Sequence, residues 1–153
     1  MRKIICIISL LFFFASCKKD KFTTAPQIEY VKLRNNVIDS RDFTATYPVL
    51  TFNITDAEGD IGFKVGTDTS FIYVKNLLTG FADSLSFPDL ETAGKSNFDA
   101  EVDLDLKKFV KCRTLPGTPL HTDTLYFEIY VKDFEKNKSN VITSGDPVYF
   151  TCF

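Results

Sequence analysis

The sequence predicts an all-β domain, an antiparallel immunoglobulin-like β-sandwich of about seven strands. Three observations predict it. Apolar and polar residues alternate with a period of two in several short segments, polar turn residues separate these segments, and no window of helical length shows a 3.6-residue period. Short strands at this spacing are typical of β-sandwiches, and a barrel built from the same strands is the alternative.

The first 16 residues have the organisation of an export signal. Arg2 and Lys3 are followed by an apolar run over residues 4–15, which is too short to span a bilayer as a helix but suits the apolar part of a signal peptide. Residues 14–17 (FASC) resemble the bacterial lipobox, in which the signal is cut before the cysteine and the thiol carries lipid. We therefore expect residues 1–16 to be a lipoprotein signal peptide and Cys17 to be lipidated.

Residues 17–26 are polar and end in a proline, so we expect a lipidated tether before a domain that spans residues 27–153. Lipoprotein processing supplies more than one fatty acyl chain, which gives stable anchoring. Lys18 stands where an aspartate retains lipoproteins in the inner membrane in enteric-type sorting. The expected location is the cell envelope, with the outer membrane favoured and its periplasmic and surface faces both open.

The composition of the mature chain excludes some partners. Removal of residues 1–16 leaves 137 residues, enough for one domain with a core. Without Arg2 and Lys3, 16 basic residues stand against 20 acidic ones, a net charge of −4, so nucleic acid is not an expected partner. No later apolar run has membrane length, so membrane attachment is expected only through the lipid.

The strands can be assigned in chain order from the alternation. The segment 48–55 alternates cleanly, 124–132 is the strongest strand, 83–87 is a short edge candidate, and a last strand is interrupted near residues 145–147. Residues 104–112 could form one helical turn. The expected strands are 27–33, 48–55, 70–77, 83–87, 100–106, 124–132, 141–144 and 148–152. The residues expected to face the core from the two clearest strands are Leu50, Phe52, Ile54, Leu125, Phe127, Ile129 and Val131.

Two of the four cysteines are expected to pair. Cys6 leaves with the signal and Cys17 is the lipid site, so Cys112 and Cys152 remain. Two thiols in an exported domain favour a disulfide over a metal site or a nucleophile.

An acidic turn follows the strand 48–55 and is the strongest candidate for a ligand site. Asp56, Glu58 and Asp60 repel one another unless a cation or a basic side chain lies among them, and Ca²⁺ prefers several oxygen ligands. In an immunoglobulin-like order the strands 48–55 and 124–132 run in the same direction, so Asp133 and Asn137 are expected at the same pole and the two cysteines at the opposite one. The alternative is an ordinary turn whose charge neighbouring lysines neutralise.

These segments also carry a resemblance. The stretch LTFNITDAEGDIG, with DTLYFEIYVKDFEKNKSNVIT about seventy residues later, resembles a group of small, mostly uncharacterised lipoproteins of Bacteroidota-type bacteria. Members show a D-G-D-G-D-I-G-like loop and a late Y-x-I-x-V-K-D strand followed by N-K-S-N. This chain has Ala57 and Glu58 where the group often has glycine and aspartate. The resemblance implies an exported lipoprotein with an immunoglobulin-like domain, and it implies no known activity.

The chemistry of most enzyme classes is missing. The only histidine, His121, lies in a Pro-Gly-rich stretch, and the sequence has neither a G-x-S-x-G elbow nor a Walker-type phosphate loop. Tyr126 and Tyr130 are expected on the outward face of the strand 124–132, where they could form a binding surface or be covered by a partner.

The sequence thus favours a non-enzymatic, lipid-anchored binding or accessory module of the cell envelope. The absence of tryptophan favours a protein partner over a glycan. A small carboxylate-dependent hydrolase and a purely structural spacer are the alternatives, and a Ca²⁺ ion on Asp56, Glu58, Asp60, Asp133 and Asn137 is the one cofactor considered.

Overall fold

The computed structural model describes residues 20–62, 69–87, 96–117 and 120–153. In this part of the chain there are ten strands and no helix, so the predicted all-β class is confirmed. The predicted signal peptide and Cys17 lie outside the described residues. The described residues contain no helix with the length and apolarity that a membrane crossing requires. The strands are β1 (Gln27–Arg34), β2 (Val37–Asp39), β3 (Val49–Asp56), β4 (Phe71–Asn76), β5 (Ala82–Ser86), β6 (Phe98–Asp105), β7 (His121–Leu125), β8 (Phe127–Lys132), β9 (Ile142–Thr143) and β10 (Val148–Cys152).

The strands form three sheets. One has the order β1-β3-β6, a second β2-β10-β7, and a third β5-β4-β8-β9. All pairs are antiparallel except β2 with β10, which is parallel. The register brings the start of β1 and the start of β6 beside the end of β3, and the start of β4 beside the end of β8.

The core forms from the residues that the alternation predicts. All seven core-facing residues predicted on the strands 48–55 and 124–132 are fully buried in β3, β7 and β8. Thr51 was expected on the polar face of its strand, yet it is also fully buried. Its hydroxyl donates a 2.6 Å hydrogen bond to Asp103 on the neighbouring β6, which offsets the cost of burying it.

Two elements differ from the prediction. The segment 124–132 is not one strand, because its pairing partner changes at Tyr126. Leu125 of β7 pairs with β10, whereas Phe127 of β8 pairs with β4. The single helical turn considered over 104–112 is present, since Leu106 O accepts from the amides of Phe109 (2.8 Å) and Val110 (3.1 Å). The short strand β2 was not predicted, since three residues are too few to show a period.

A disulfide joins Cys112 and Cys152, which fits the pairing expected from the sequence. Cys152 ends β10 and is paired in register with His121 at the start of β7. We call this end of the domain the disulfide pole, and the end formed by residues 56–62 and 133–140 the acidic pole.

Removal of the disulfide should destabilise the domain without changing its fold. The bridge closes a loop with a sequence separation of 40, for which the chain-entropy model gives about 4 kcal/mol. We expect the double variant Cys112→Ala/Cys152→Ala to lose about 2–4 kcal/mol of unfolding free energy in urea titrations. The unsubstituted chain in a reductant is the matched control and should lose a similar amount. A loss below about 1 kcal/mol in both would contradict the prediction.

Candidate metal centre

The loops after β3 and β8 meet at the acidic pole. The amide of Phe134 donates to the carbonyl of Asp60 across a distance of 3.1 Å, which ties the two loops together. Ser70, directly before β4, donates its hydroxyl to the same carbonyl at 3.3 Å. These two hydrogen bonds hold the backbone of Asp60 in place, and neither of them involves a carboxylate.

Three carboxylates converge here. Asp56, Asp60 and Asp133 each place a carboxylate oxygen so that all three oxygens lie within 4.8 Å of one another. Asp56 and Asp133 are fully buried and Asp60 is half-buried. Like charges at this spacing repel strongly away from water, so the arrangement favours a proton or a cation among them.

Each carboxylate keeps one oxygen without a hydrogen-bond partner among the described residues. Asp56 Oδ2 accepts from the amide of Gly59 at 2.6 Å, in a turn where Gly59 has a φ of 70°, a conformation that glycine adopts without strain. Asp133 Oδ1 accepts from the amide of Asn137 at 2.7 Å. The oxygens left free are Asp56 Oδ1, Asp60 Oδ1 and Asp133 Oδ2. Buried acceptors without partners are costly, and a hard cation is a ligand that would satisfy them.

The pKa values of Asp56 and Asp60 are raised, as expected for carboxylates packed together away from water. The pKa of Asp56 is raised to about 7, chiefly by burial; the neighbouring Asp60 carboxyl acts in the same direction, and the hydrogen bond from the Gly59 amide acts against it. Burial and the charge of Asp133 raise the pKa of Asp60. Without a cation, the cluster therefore retains a proton near neutral pH, and a divalent cation would compete with that proton.

The other two residues expected in this site have different roles. Glu58 is exposed on the turn between Asp56 and Asp60, and it is not part of the group. Asn137 contributes its backbone: its amide bonds the Asp133 carboxylate, and its carbonyl accepts from the Asp133 amide at 3.3 Å. The structure thus brings together three of the five predicted residues as carboxylate neighbours.

The N-terminal segment lies against the same pole. The amide of Ala57 donates to Thr23 O at 3.1 Å, and Thr55 Oγ1 donates to Lys21 O at 2.9 Å. Lys21 also forms a 2.5 Å ion pair with Asp99. These contacts fall within the predicted tether of residues 17–26, so its described part is packed on the domain.

A second group, at the disulfide pole, was not expected from the sequence. His121, Asp123 and Cys152 lie together, but Cys152 is in the disulfide and has no thiolate to offer a metal. Although burial acts to raise the pKa of Asp123, hydrogen bonds from Arg113 hold it below its usual range. Arg113 thus supplies the counter-charge for the buried Asp123, which makes a structural ion pair the simplest account of this group.

The two tyrosines expected on one outward face are separated. Tyr126 lies at the break between β7 and β8 and is 38% exposed. Tyr130 lies on the outer face of β8, where its ring stacks on that of Tyr73 from β4, with centroids 4.6 Å apart. The sequence did not show this pair, because residues 73 and 130 are distant along the chain.

No protein-family model, no curated protein and no solved structure matches the chain. The resemblance to the Bacteroidota-type lipoproteins stays a prediction.

The raised pKa of Asp56 predicts an unusual pH dependence in EDTA. Between its unfolded value of 3.8 and its folded value of about 7, the folded chain holds a proton that the unfolded chain releases. The unfolding free energy should therefore fall as the pH rises through this window. Thermal melts at pH 5 and pH 8 should show a midpoint lower by several degrees at pH 8.

The variant Asp56→Asn removes the titrating group while leaving an oxygen for the Gly59 amide, so the difference between pH 5 and pH 8 should shrink. Glu58→Gln, which removes a charge from the same turn, should leave the difference unchanged. Equal pH dependence in all three chains would show that the cluster does not titrate as described.

Proposed function

We propose that this chain is a lipid-anchored, non-enzymatic binding module of the cell envelope, and that its acidic pole binds Ca²⁺. The observation that carries the cation proposal is the set of three converging carboxylates, two of them fully buried, each with one oxygen that has no hydrogen-bond partner among the described residues. Carboxylate oxygens select hard cations such as Ca²⁺, Mg²⁺ and Mn²⁺. Ca²⁺ is favoured because its flexible coordination tolerates a site formed by two loops of irregular shape.

We further propose that the domain is an immunoglobulin-like sandwich. Its support is that β3 and β8 both end at the acidic pole while the disulfide lies at the opposite end. The sheets β1-β3-β6 and β5-β4-β8-β9 correspond in strand order to the two layers of such a domain. The last strand of the prediction is divided into β9 and β10, which pair with β8 and β7 respectively.

The burial of the acids supports binding over hydrolysis. A glycosidase needs two carboxyl groups flanking a substrate, about 5 Å apart or more, with access from a cleft. Here the carboxylate oxygens lie closer together, and Asp56 and Asp133 are fully buried. A cation, which is small and needs only oxygen ligands, fits this arrangement better than a sugar does.

The proposed anchor gives the domain an orientation. Two residues separate Cys17 from Asp20, and Lys21 and Thr23 are bonded to the acidic pole. Three extended residues reach about 10 Å. A lipid on Cys17 in the outer membrane would therefore hold the acidic pole towards the membrane and the disulfide pole away from it.

Ca²⁺ should raise the thermal midpoint of the chain. A ligand at a hundred times its dissociation constant stabilises the folded state by about 2.7 kcal/mol, which moves the midpoint of a domain of this size by several degrees. The shift should saturate and should reverse with EDTA. Titrations with Mg²⁺ and Mn²⁺ under the same conditions measure the selectivity, and a shift larger with Mg²⁺ than with Ca²⁺ would contradict the choice of Ca²⁺.

The variant Asp133→Asn tests which residues bind the ion. An asparagine keeps an oxygen for the Asn137 amide but removes one charge, so the Ca²⁺ shift should disappear while the midpoint in EDTA stays equal or rises. Glu58→Gln is the matched control on the exposed side of the same pole and should keep the shift. A Ca²⁺ shift that persists in Asp133→Asn would place the ion elsewhere.

Lipidation at Cys17 can be tested in cells grown with an alkyne-tagged fatty acid. The full chain should carry the label, and Cys17→Ser should lose it because serine cannot form the thioether of a lipoprotein. The variant Cys112→Ala/Cys152→Ala, which removes the other two mature cysteines, should keep the label. Equal labelling of Cys17→Ser and the unsubstituted chain would exclude Cys17 as the acylated residue.

A further inference from the structure

The outer face of the sheet β5-β4-β8-β9 carries a cluster of tyrosines and lysines. Tyr73 and Tyr130 are direct cross-strand partners, and their rings are stacked with an interplanar angle of 6°. Lys132 places its Nζ 5.5 Å from the centroid of the Tyr73 ring, and Lys138 places its Nζ 4.1 Å from that of Tyr130. We call these four residues, with Lys75 on the same side of β4, the aromatic–lysine face.

The positive charge of this face is only partly neutralised, because Lys75 lies directly opposite Glu128 in the β4–β8 pair. In the part of the chain that the structure describes, neither Lys132 nor Lys138 has a carboxylate within 4.0 Å, whereas five other basic residues lie within hydrogen-bonding range of an acid. The ammonium groups are held instead over aromatic rings, which attract a cation without cancelling its charge. Lys132 and Lys138 thus form a positive patch on a chain with a net charge of −2, which favours an anionic ligand.

A groove of about 350 Å³ lies beside the stacked rings. Tyr73 and Tyr130 line it on one side, and its other polar lining residues are Lys75, Asp83, Ser84 and Glu128. The groove therefore offers hydrogen-bond donors and acceptors side by side. A polyhydroxylated ring uses both kinds of group, and its volume suits a groove of this size.

We propose that the aromatic–lysine face binds an acidic polysaccharide, with a sugar ring in the groove and its carboxylates on Lys132 and Lys138. The proposal rests on the proposed function as a binding module and names the partner class. The sequence favoured a protein partner because tryptophan is absent, and the cross-strand pair of tyrosines supplies the aromatic surface that the sequence did not reveal. Glu128 favours a sugar ring over an acidic peptide in the groove, since sugar hydroxyls can donate hydrogen bonds to its carboxylate, whereas ionised acidic side chains have no donor.

The proposal can be tested by calorimetric titration. The sample is the full chain as processed by the cell, extracted and purified in detergent. The probes are a short glucuronate-containing oligosaccharide, a neutral glucose oligosaccharide of the same length, polyglutamate and glycerophosphoglycerol, the water-soluble headgroup of phosphatidylglycerol. All titrations are made in EDTA, so that a negative result bears on this face while the cation proposal is tested separately by the Ca²⁺ melts. We expect the glucuronate oligosaccharide to bind, and the other three probes to bind on the order of tenfold more weakly or not at all.

The variant Lys132→Gln/Lys138→Gln should weaken binding of the glucuronate oligosaccharide on the order of tenfold, because two charge-assisted contacts are lost. Lys107→Gln is the matched control, since Lys107 also lies over a tyrosine ring, 5.0 Å from the centroid of Tyr47, but outside this face. It should bind like the unsubstituted chain. Equal affinity for polyglutamate or for the phosphoglycerol headgroup would overturn the assignment of the ligand class, and an unchanged affinity in the double variant would overturn the assignment of the site.

Discussion

The packing of Asp56, Asp60 and Asp133 against one another is the constraint on which the acidic pole depends. Three carboxylates at this distance lower the stability of the folded chain unless a proton or a cation lies among them. The loops do not relieve the repulsion by moving apart, because the Phe134 amide of one loop donates a hydrogen bond to the Asp60 carbonyl of the other. The site is therefore formed before a ligand enters, which reduces the ordering cost of binding.

Apolar burial and the disulfide elsewhere in the domain offset the loss of folding free energy caused by the three neighbouring carboxylates. Leucine, isoleucine, valine and phenylalanine side chains from β3, β7 and β8 are fully buried between the sheets. The disulfide constrains the opposite end, where Cys112 follows β6 and Cys152 ends β10. One pole of the domain is thus constrained by a disulfide, and the stability of the other pole depends on a bound proton or ligand. Such a division lets a cation affect the loops at one end while the core is unaffected.

The sequence predicted those features that follow from strand periodicity and strand direction. Asp133 was placed near Asp56 because the strands before them were expected to run in the same direction. Glu58 was expected beside the other carboxylates, but side chains in a turn do not alternate as they do in a strand, and its side chain is exposed and outside the group of three. Tyr126 was paired with Tyr130 on the assumption of one continuous strand, but the chain changes sheet between them. The stacked Tyr73 depends on a cross-strand register that one sequence does not reveal.

The two proposed sites share one loop. Asp133 begins the turn after β8, and Lys138, five residues later, pairs with Lys132 through an isolated bridge. The Asp133 carboxylate holds the amide of Asn137, the residue directly before Lys138. A cation among the carboxylates would neutralise negative charge near these lysines and strengthen their field towards an anion. The short connection between the two groups therefore provides a direct physical route by which cation binding at the pole could favour an acidic ligand on the sheet face.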